Sequence, residues 1–237
     1  MKKYFLKSTG MVLLLIGCVS FVTLNKYSMD KAKWIPLFDG KSFKGWHGYN
    51  KTGAIDNWTI EDGAMVCLGA APDAHGGDIV TDMAYENFEL KWEWKITKEG
   101  NSGLMYHVVE GEKYHAPYET GPEYQMIDDT GFPQKLEEWQ KTGADYAMTV
   151  PNDKKKIQPV GEWNTSKIVF KKGHVEHWLN GEKIVEFQAW DAKWLKEKQD
   201  GKWKDYPDYG MAKKGLIALQ DHGHKAYFKN IMIRVID

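Results

Sequence analysis

The chain has almost no cysteine. Two occur in 237 residues, Cys18 and Cys67. Cys18 lies in an N-terminal apolar stretch, so an internal disulfide framework is excluded once that stretch is set aside. An excess of either charge is also missing, since 32 Lys and Arg stand against 33 Asp and Glu. With the two signs mixed along the chain, that balance gives no support for nucleic-acid binding, which usually shows a basic patch. The apolar stretch Met11–Val22 falls short of the about 20 residues a membrane-spanning helix needs. A Gly-rich phosphate loop, a GxSxG elbow, a HExxH helix and zinc-type Cys/His spacing are absent as well. Nothing therefore points to nucleotide, serine-hydrolase or zinc-protease chemistry.

What is present begins with an export signal. Lys2, Lys3 and Lys7 precede Met11–Val22, the basic and apolar regions of a secretory leader. Leu15-Ile16-Gly17-Cys18 resembles the bacterial lipobox, in which the cysteine is lipidated and attaches the mature protein to a membrane. The apolar residues Val19–Leu24 depart from it, because a mature lipoprotein usually turns polar there. Ordinary cleavage near Asn25–Met29 and an uncleaved anchor are the alternatives. Residues 1–29 thus read as a signal peptide or lipoprotein tether. Residues 30–237 read as one domain, without linker, repeat or low-complexity segment. The expected location is periplasmic or cell-envelope. Cys67 then reads as a small buried apolar residue.

Strand patterns dominate the remainder. Phe88–Ile96 alternates strictly, with Phe88, Leu90, Trp92, Trp94 and Ile96 on one face and Glu89, Lys91, Glu93 and Lys95 on the other. His174–Leu179 and Glu182–Phe187 flank Asn180-Gly181, a type I′ hairpin signal that predicts His177 opposite Ile184. Ile168–Lys171 is a strand ending at a Lys172-Gly173 turn. Leu216–Gln220 and Ala226–Val235 are predicted to pair across Asp221–Lys225. Helix signals are few: a turn or two over Lys135–Lys141 and a short exposed helix over Asp191–Gln199. Trp203–Lys214, with Pro207 and Gly210, reads as loop. Many short strands with few helices predict two packed antiparallel sheets.

Two of these strands carry unusual polar faces. A strand from Glu123 to Asp128 places Glu123, Gln125 and Ile127 on one face and Tyr124, Met126 and Asp128 on the other. Leu216, Ala218, Gln220 and His222 share a face in the second. Together they suggest a polar cleft on a sheet, suited to a hydroxyl-rich ligand. The plainer reading is a solvated outer face. The 11 Trp, 12 Tyr and 9 Phe supply core and, in a carbohydrate reading, flat platforms for sugar rings.

Six ordered blocks carry a family resemblance: Trp34–Trp46 (WIPLFDGKSFKGW), Asn101–Val108 (NSGLMYHV), Glu119–Asp129 (ETGPEYQMIDD), Gly161–Phe170 (GEWNTSKIVF), His174–Phe187 (HVEHWLNGEKIVEF), and GLIALQDHGH with FKNIMIR over Gly215–Arg234. From about Trp34 onward the chain resembles the 3-keto-disaccharide hydrolase domain family. The resemblance implies an all-β, concanavalin A-like β-sandwich (jelly roll) of two antiparallel sheets with a substrate cleft on one of them. It also implies cleavage of glycosides whose glucosyl C3 is a ketone.

Ordinary glycosidases use two flanking carboxylates, and Glu123 has no partner at a matching strand position. A 3-keto sugar needs a base for the acidified C2 proton, an acid for the leaving group at C1, and a donor or metal at the ketone oxygen. Glu123 is the candidate base, and His177 and His222 are candidate acids or bases. His107 would join Asn101, Gly103 and Met105 on one face of a regular strand, as a further acid or substrate-binding residue. Asn101, Gln125 and Gln220 suit sugar hydroxyls, and Trp163 is the candidate platform. Plainer roles stand beside these: a surface ion pair for Glu123, turn chemistry for His222 and Asn101, burial for His177 and Trp163. No cofactor is required by the sequence. A divalent metal is the one candidate, with Asp221, His222, His224 and Asp128-Asp129 as oxygen and nitrogen donors. The expected partner is an oligosaccharide or glycoside. A non-catalytic carbohydrate-binding module and a conventional glucan hydrolase are the rival readings.

Overall fold

Alternation along the strands decides which residues meet between the sheets. The computed structural model of the protein describes residue 1 and residues 33–69 and 77–237. Cys18, the leader and most of the tether lie outside the described residues. The strands are β1 (Ile35–Pro36), β2 (Trp46–Gly48), β3 (Trp58–Glu61), β4 (Ala64–Cys67), β5 (Ile79–Thr81), β6 (Phe88–Ile96), β7 (Asn101–Val108), β8 (Glu123–Ile127), β9 (Asn164–Lys171), β10 (His174–Leu179), β11 (Glu182–Gln188), β12 (Leu216–Leu219) and β13 (Ala226–Val235). One helix, α1 (Ala192–Asp200), follows β11. The larger sheet has the order β11-β10-β9-β6-β13-β4-β3, with β1 on β13; the smaller has the order β2-β5-β12-β7-β8. Their pairings are antiparallel. This is the two-sheet β-sandwich, or jelly roll, that the sequence implies.

Phe88, Leu90, Trp92 and Trp94 of β6, with Ile168 and Phe170 of β9, pack against Leu104 and Tyr106 of β7, Tyr124 and Met126 of β8, and Ile217 and Leu219 of β12. Each such side chain contributes about 1.5–3 kcal/mol by leaving water. Trp92 meets Tyr124 edge-on at 5.0 Å between centroids. A chain of hydrogen bonds crosses this core: Trp94 Nε1 donates to Ser166 Oγ (2.8 Å), Ser166 to the Tyr124 hydroxyl (2.9 Å), and that hydroxyl to the Trp178 carbonyl (3.2 Å), whereas Trp92 Nε1 is buried without a partner.

The β10–β11 hairpin turns at Asn180 (φ 47°) and Gly181 (φ 90°), as a type I′ turn demands. Its register differs from expectation. His177 faces Val185 rather than Ile184, because β11 carries an extra residue opposite the His177/Trp178 step. The predicted pairing of β12 with β13 does not form. β12 joins β5 and β7 in the smaller sheet, whereas β13 joins β4 and β6 in the larger. The segment between them is pinned instead: Asp221 accepts from Asn57 Nδ2 (2.6 Å) and Gly223 N (3.0 Å), while its own N–H donates to Asp78 Oδ1 (2.7 Å).

The helix expected over Asp191–Gln199 forms, but it is not simply exposed. Asp191 caps it by accepting from Trp194 N (2.7 Å), and Trp194 and Lys198 are buried. Trp203 stacks on Tyr209 at 4.0 Å and 9° between planes. Both belong to a cluster with Trp194 against which Tyr118, Tyr146 and Tyr206 pack. The segment read as loop thus opens within a short 3₁₀ turn, Lys202–Asp205, and forms an aromatic wall. Over Lys135–Lys141 only one 3₁₀ turn, Glu138–Gln140, appears.

Candidate active site

Strand β8 divides its residues as its alternation predicts. Tyr124 and Met126 enter the core, while Glu123 and Gln125 line a cleft with Asn101 of β7, Gln220 and His222 beyond β12, and Tyr118, Tyr146, Lys202, Trp203 and Tyr206. The cavity is about 230 Å³. Antiparallel pairing aligns Met105 with Glu123, Gly103 with Gln125 and Asn101 with Ile127, and Gln220 N donates to the Gly103 carbonyl at 3.0 Å. The floor is therefore a patch of amides and one acid on the outer face of the smaller sheet.

Glu123 is only 4% exposed, and its Oε1 has no hydrogen-bond partner. Burial pushes its pKa from 4.5 up to about 7, with the nearby Lys202 ammonium opposing the shift. Asn101 Oδ1 and Gln220 Oε1 are likewise buried without a partner. Three such oxygens around one cavity are costly in a finished fold and are suited to a ligand or water that donates to them. Gln125 is oriented by its own strand, its Oε1 accepting from Met126 N at 2.9 Å. Gly103 makes the carboxylate's place: a Cβ there would stand 2.0 Å from Glu123 Oε1.

Glu123 is the single carboxylate among the described residues that line the cleft. Asp145 does not line the cleft, though its carboxyl lies near enough to Glu123 for the two charges to repel. It bridges to Tyr124, whose side chain is in the core, while Tyr146 N donates to the Glu123 carbonyl at 3.0 Å. Asp145 is fully buried with both oxygens unpartnered. Desolvation, then the charges of Glu123 and Glu197, push its pKa well above the carboxylate range.

The structure brings together Asn101, Glu123, Gln125, Gln220 and His222. Three other expected residues lie elsewhere. His177 is fully buried in the core, its Nδ1 against the Gly143 carbonyl (3.0 Å) and its Nε2 against the Tyr106 hydroxyl (3.4 Å). Burial there pulls its pKa down to about 4. His107 fails for a backbone reason. Leu216 pairs with Val108 but Ala218 with Met105, so β7 carries one extra residue between them. His107 takes φ 55°, and its ring turns inward onto Phe170 (4.3 Å between centroids) with Nε2 on the Glu86 carbonyl (2.9 Å). Its pKa also falls to about 4 by burial. Trp163 is half-buried on the larger sheet, beneath the Lys229 ammonium at 3.9 Å and edge-on to Tyr227.

His222 stands at the cleft rim, its ring 6.1 Å from that of His224, whose Nδ1 lies 2.9 Å from the His222 carbonyl. The expected metal donors are engaged otherwise. Asp128 accepts from the backbone of Glu99, Thr130 and Gly131; Asp129 accepts from Thr142 N and from Lys155 Nζ at 2.6 Å. Among the described residues the side chains that converge at ligand distances are His174, Glu176 and Glu186. There Lys183 already bridges the two carboxylates at 3.2 and 2.6 Å. Sequence reasoning missed Tyr118, Tyr146, Lys202, Trp203 and Tyr206. The available signal was the three-residue spacing of Trp203, Tyr206 and Tyr209, which Pro207 and Gly210 disguise as loop.

Fold and cleft together define a β-sandwich protein with a polar cleft on one outer sheet face, walled by an aromatic excursion between β11 and β12. The chain belongs to the 3-keto-alpha-glucoside-1,2-lyase-like domain family, whose model matches residues 33–234. It is 36% identical over 234 residues to a 3-keto-disaccharide hydrolase of Bacteroides thetaiotaomicron, covering 88% of this chain and 80% of that protein. Two solved structures from Parabacteroides distasonis, each described as a candidate glycosyl hydrolase, superpose on it. One is 49% identical with a TM-score of 0.81, over 86% of this chain and 94% of that one. The other is 27% identical with a TM-score of 0.66, over 86% of this chain and all of the other.

Proposed function

We propose that the protein is a carbohydrate-active enzyme that cleaves 3-keto-glycosides by elimination and hydration. Family membership and the name of its Bacteroides relative support the substrate class. The observation that carries the mechanism is Glu123, the one carboxyl lining the cleft among the described residues, buried, with a pKa pushed up to about 7 and an unpartnered oxygen over Gly103. A base poised near neutrality is what abstraction of an acidified proton needs, and a conventional glycosidase would need a second acid in the cleft.

The Glu123 carboxylate takes the proton from C2. The C–H electron pair forms the C2=C3 enolate, whose oxygen is stabilised by the Lys202 ammonium and by carboxamide N–H groups of Asn101 or Gln220. The enolate collapses to the ketone and forms C1=C2. The C1–O bond breaks, and the leaving oxygen collects a proton, with His222 at the rim as the donor. Water then adds its hydroxyl to C1 and its proton to C2, restoring a 3-keto sugar. The half-buried Tyr118, Tyr146 and Tyr206 offer aromatic surface to the pyranose, while Trp203, 1% exposed, is stacked on Tyr209. The mature region, residues 30–237, acts outside the cytoplasm, released or tethered by a lipid on Cys18.

The test is product formation from a 3-keto-glucoside beside its unoxidised parent, with and without a chelator. Cleavage of the keto sugar alone is expected, and chelator sensitivity would add a metal at the ketone. Cleavage of the parent would replace this reading with a conventional glycosidase. Binding of both without cleavage would replace it with a carbohydrate-binding module.

A further inference from the structure

The β10–β11 hairpin sets two like charges against each other. Antiparallel pairing places Glu176 directly opposite Glu186, which is destabilising unless a cation stands between the carboxylates. Alternation keeps Val175, His177 and Leu179 in the core and turns His174, Glu176 and Trp178 outward. The His174 imidazole therefore joins the acid pair on the outer face of the larger sheet.

The spacing of these groups is that of a coordination shell. His174 Nε2 lies 3.5 Å from Glu176 Oε1 and 3.2 Å from Glu186 Oε1, and the three atoms all fall within 4.8 Å of one another. A tetrahedral ion with bonds of about 2.0–2.1 Å spaces its ligand atoms about 3.3–3.4 Å apart. The two nitrogen–oxygen separations bracket that value, so little rearrangement is needed. Glu176 is also oriented from outside the cluster. Its Oε2 accepts from Trp178 Nε1 at 2.8 Å, which leaves Oε1 beside the imidazole, as an outer partner steadies a metal-ligating carboxylate.

The cation now between the carboxylates is Lys183, with Nζ 3.2 Å from Glu176 Oε1 and 2.6 Å from Glu186 Oε2. Such part-exposed pairs contribute little, and the ammonium rides on a flexible stem that can swing into solvent. A dication brings twice the charge and also engages the imidazole nitrogen. One imidazole with two carboxylates suits zinc and its transition-metal neighbours, whereas calcium takes about 6–8 oxygen ligands. We propose that His174, Glu176 and Glu186 form a binding site for a divalent cation of the zinc class, with Lys183 as the counter-ion it displaces. The ion ties β10 to β11 at the edge of the larger sheet. It lies across the sandwich from the cleft, so it steadies the fold without entering the reaction there.

Calorimetric titration of the protein with zinc chloride tests this, with circular dichroism to verify that each variant folds. Saturable binding of one ion per chain is expected. His174→Ala should weaken it by about tenfold or more, and Lys183→Ala, which removes the competing ammonium, should tighten it. Zinc should raise the Tm of the wild type and leave that of His174→Ala unchanged. No saturable binding by the wild type up to about 1 mM, or equal binding by His174→Ala, would overturn the site. Loss of binding in His222→Ala but not in His174→Ala would place the ion at the cleft rim and overturn it as well. Weaker binding by Lys183→Ala would overturn displacement of the lysine.

Discussion

Replacing Glu123 with Gln separates catalysis from stability in a way the burial of that carboxyl makes quantitative. The group titrates at about 7 in the fold against 4.5 when unperturbed. The folded state therefore binds this proton more tightly than the unfolded chain, so the associated stability is complete below pH 4.5 and is lost as pH rises through 7. The difference of about 2.5 units corresponds to about 3 kcal/mol. Gln has the same shape and no charge to desolvate. Glu123→Gln is expected to match wild type near pH 4 and to exceed it by up to about 3 kcal/mol at pH 8. That gap is about 6–12 °C in Tm for a domain of this size. Turnover of a 3-keto-glucoside is expected to drop by about 10²–10⁴, the ordinary contribution of a general base, with much less change in substrate affinity. Urea unfolding of both proteins at pH 4, 6 and 8, beside steady-state kinetics, makes the check. A stability difference that does not change with pH would refute the burial argument, and equal losses in turnover and affinity would refute the assignment of the base.

Three further outcomes follow from the same geometry. Gly103→Ala puts a methyl group 2.0 Å from Glu123 Oε1; the carboxylate must swing away, so kcat should fall by about tenfold or more while circular dichroism stays native. His177→Gln disturbs a core residue, so kcat/KM per folded molecule should hold. Since the His177 pKa drops from 6.5 to about 4 in the fold, its stability is present above pH 6.5 and is lost as pH falls toward 4. The destabilisation by His177→Gln, measured by urea titration, should thus shrink by up to about 3 kcal/mol between pH 7 and pH 4. Trp163→Ala should leave KM unchanged within about twofold, since the ring lies on the larger sheet under Lys229; a large rise in KM would restore it as a sugar platform.

Where a side chain's position followed from period-two alternation, it was legible in the chain. Glu123 and Gln125 separate from Tyr124 and Met126 as β8 dictates, and the Asn180-Gly181 turn forms as its residues require. Legibility ended at irregularities. One extra residue in β7 reversed His107, and one in β11 moved the partner of His177. Neither has a glycine or proline to mark it. The separation of β12 from β13 rests on Asn57 and Asp78, residues more than a hundred positions upstream of Asp221, so no local pattern could report it. The aromatic wall depends on Trp203 finding Tyr209 and Tyr118, a tertiary event that overrides the weak local order of a Pro- and Gly-containing segment.

The irregularity at His107 divides β7 into two evolutionary compartments. Before it, Asn101, which lines the cleft, and Gly103, which seats Glu123, answer to whatever occupies the cleft. After it, His107 answers to the volumes of Phe88 and Phe170. Among relatives, substitutions in the first compartment should track changes of substrate, while substitutions at His107 should covary with those two aromatics and be indifferent to substrate. Deleting one residue there would merge the compartments and turn an imidazole out of the core, so lineages that exchange substrates freely should still preserve the length of this strand.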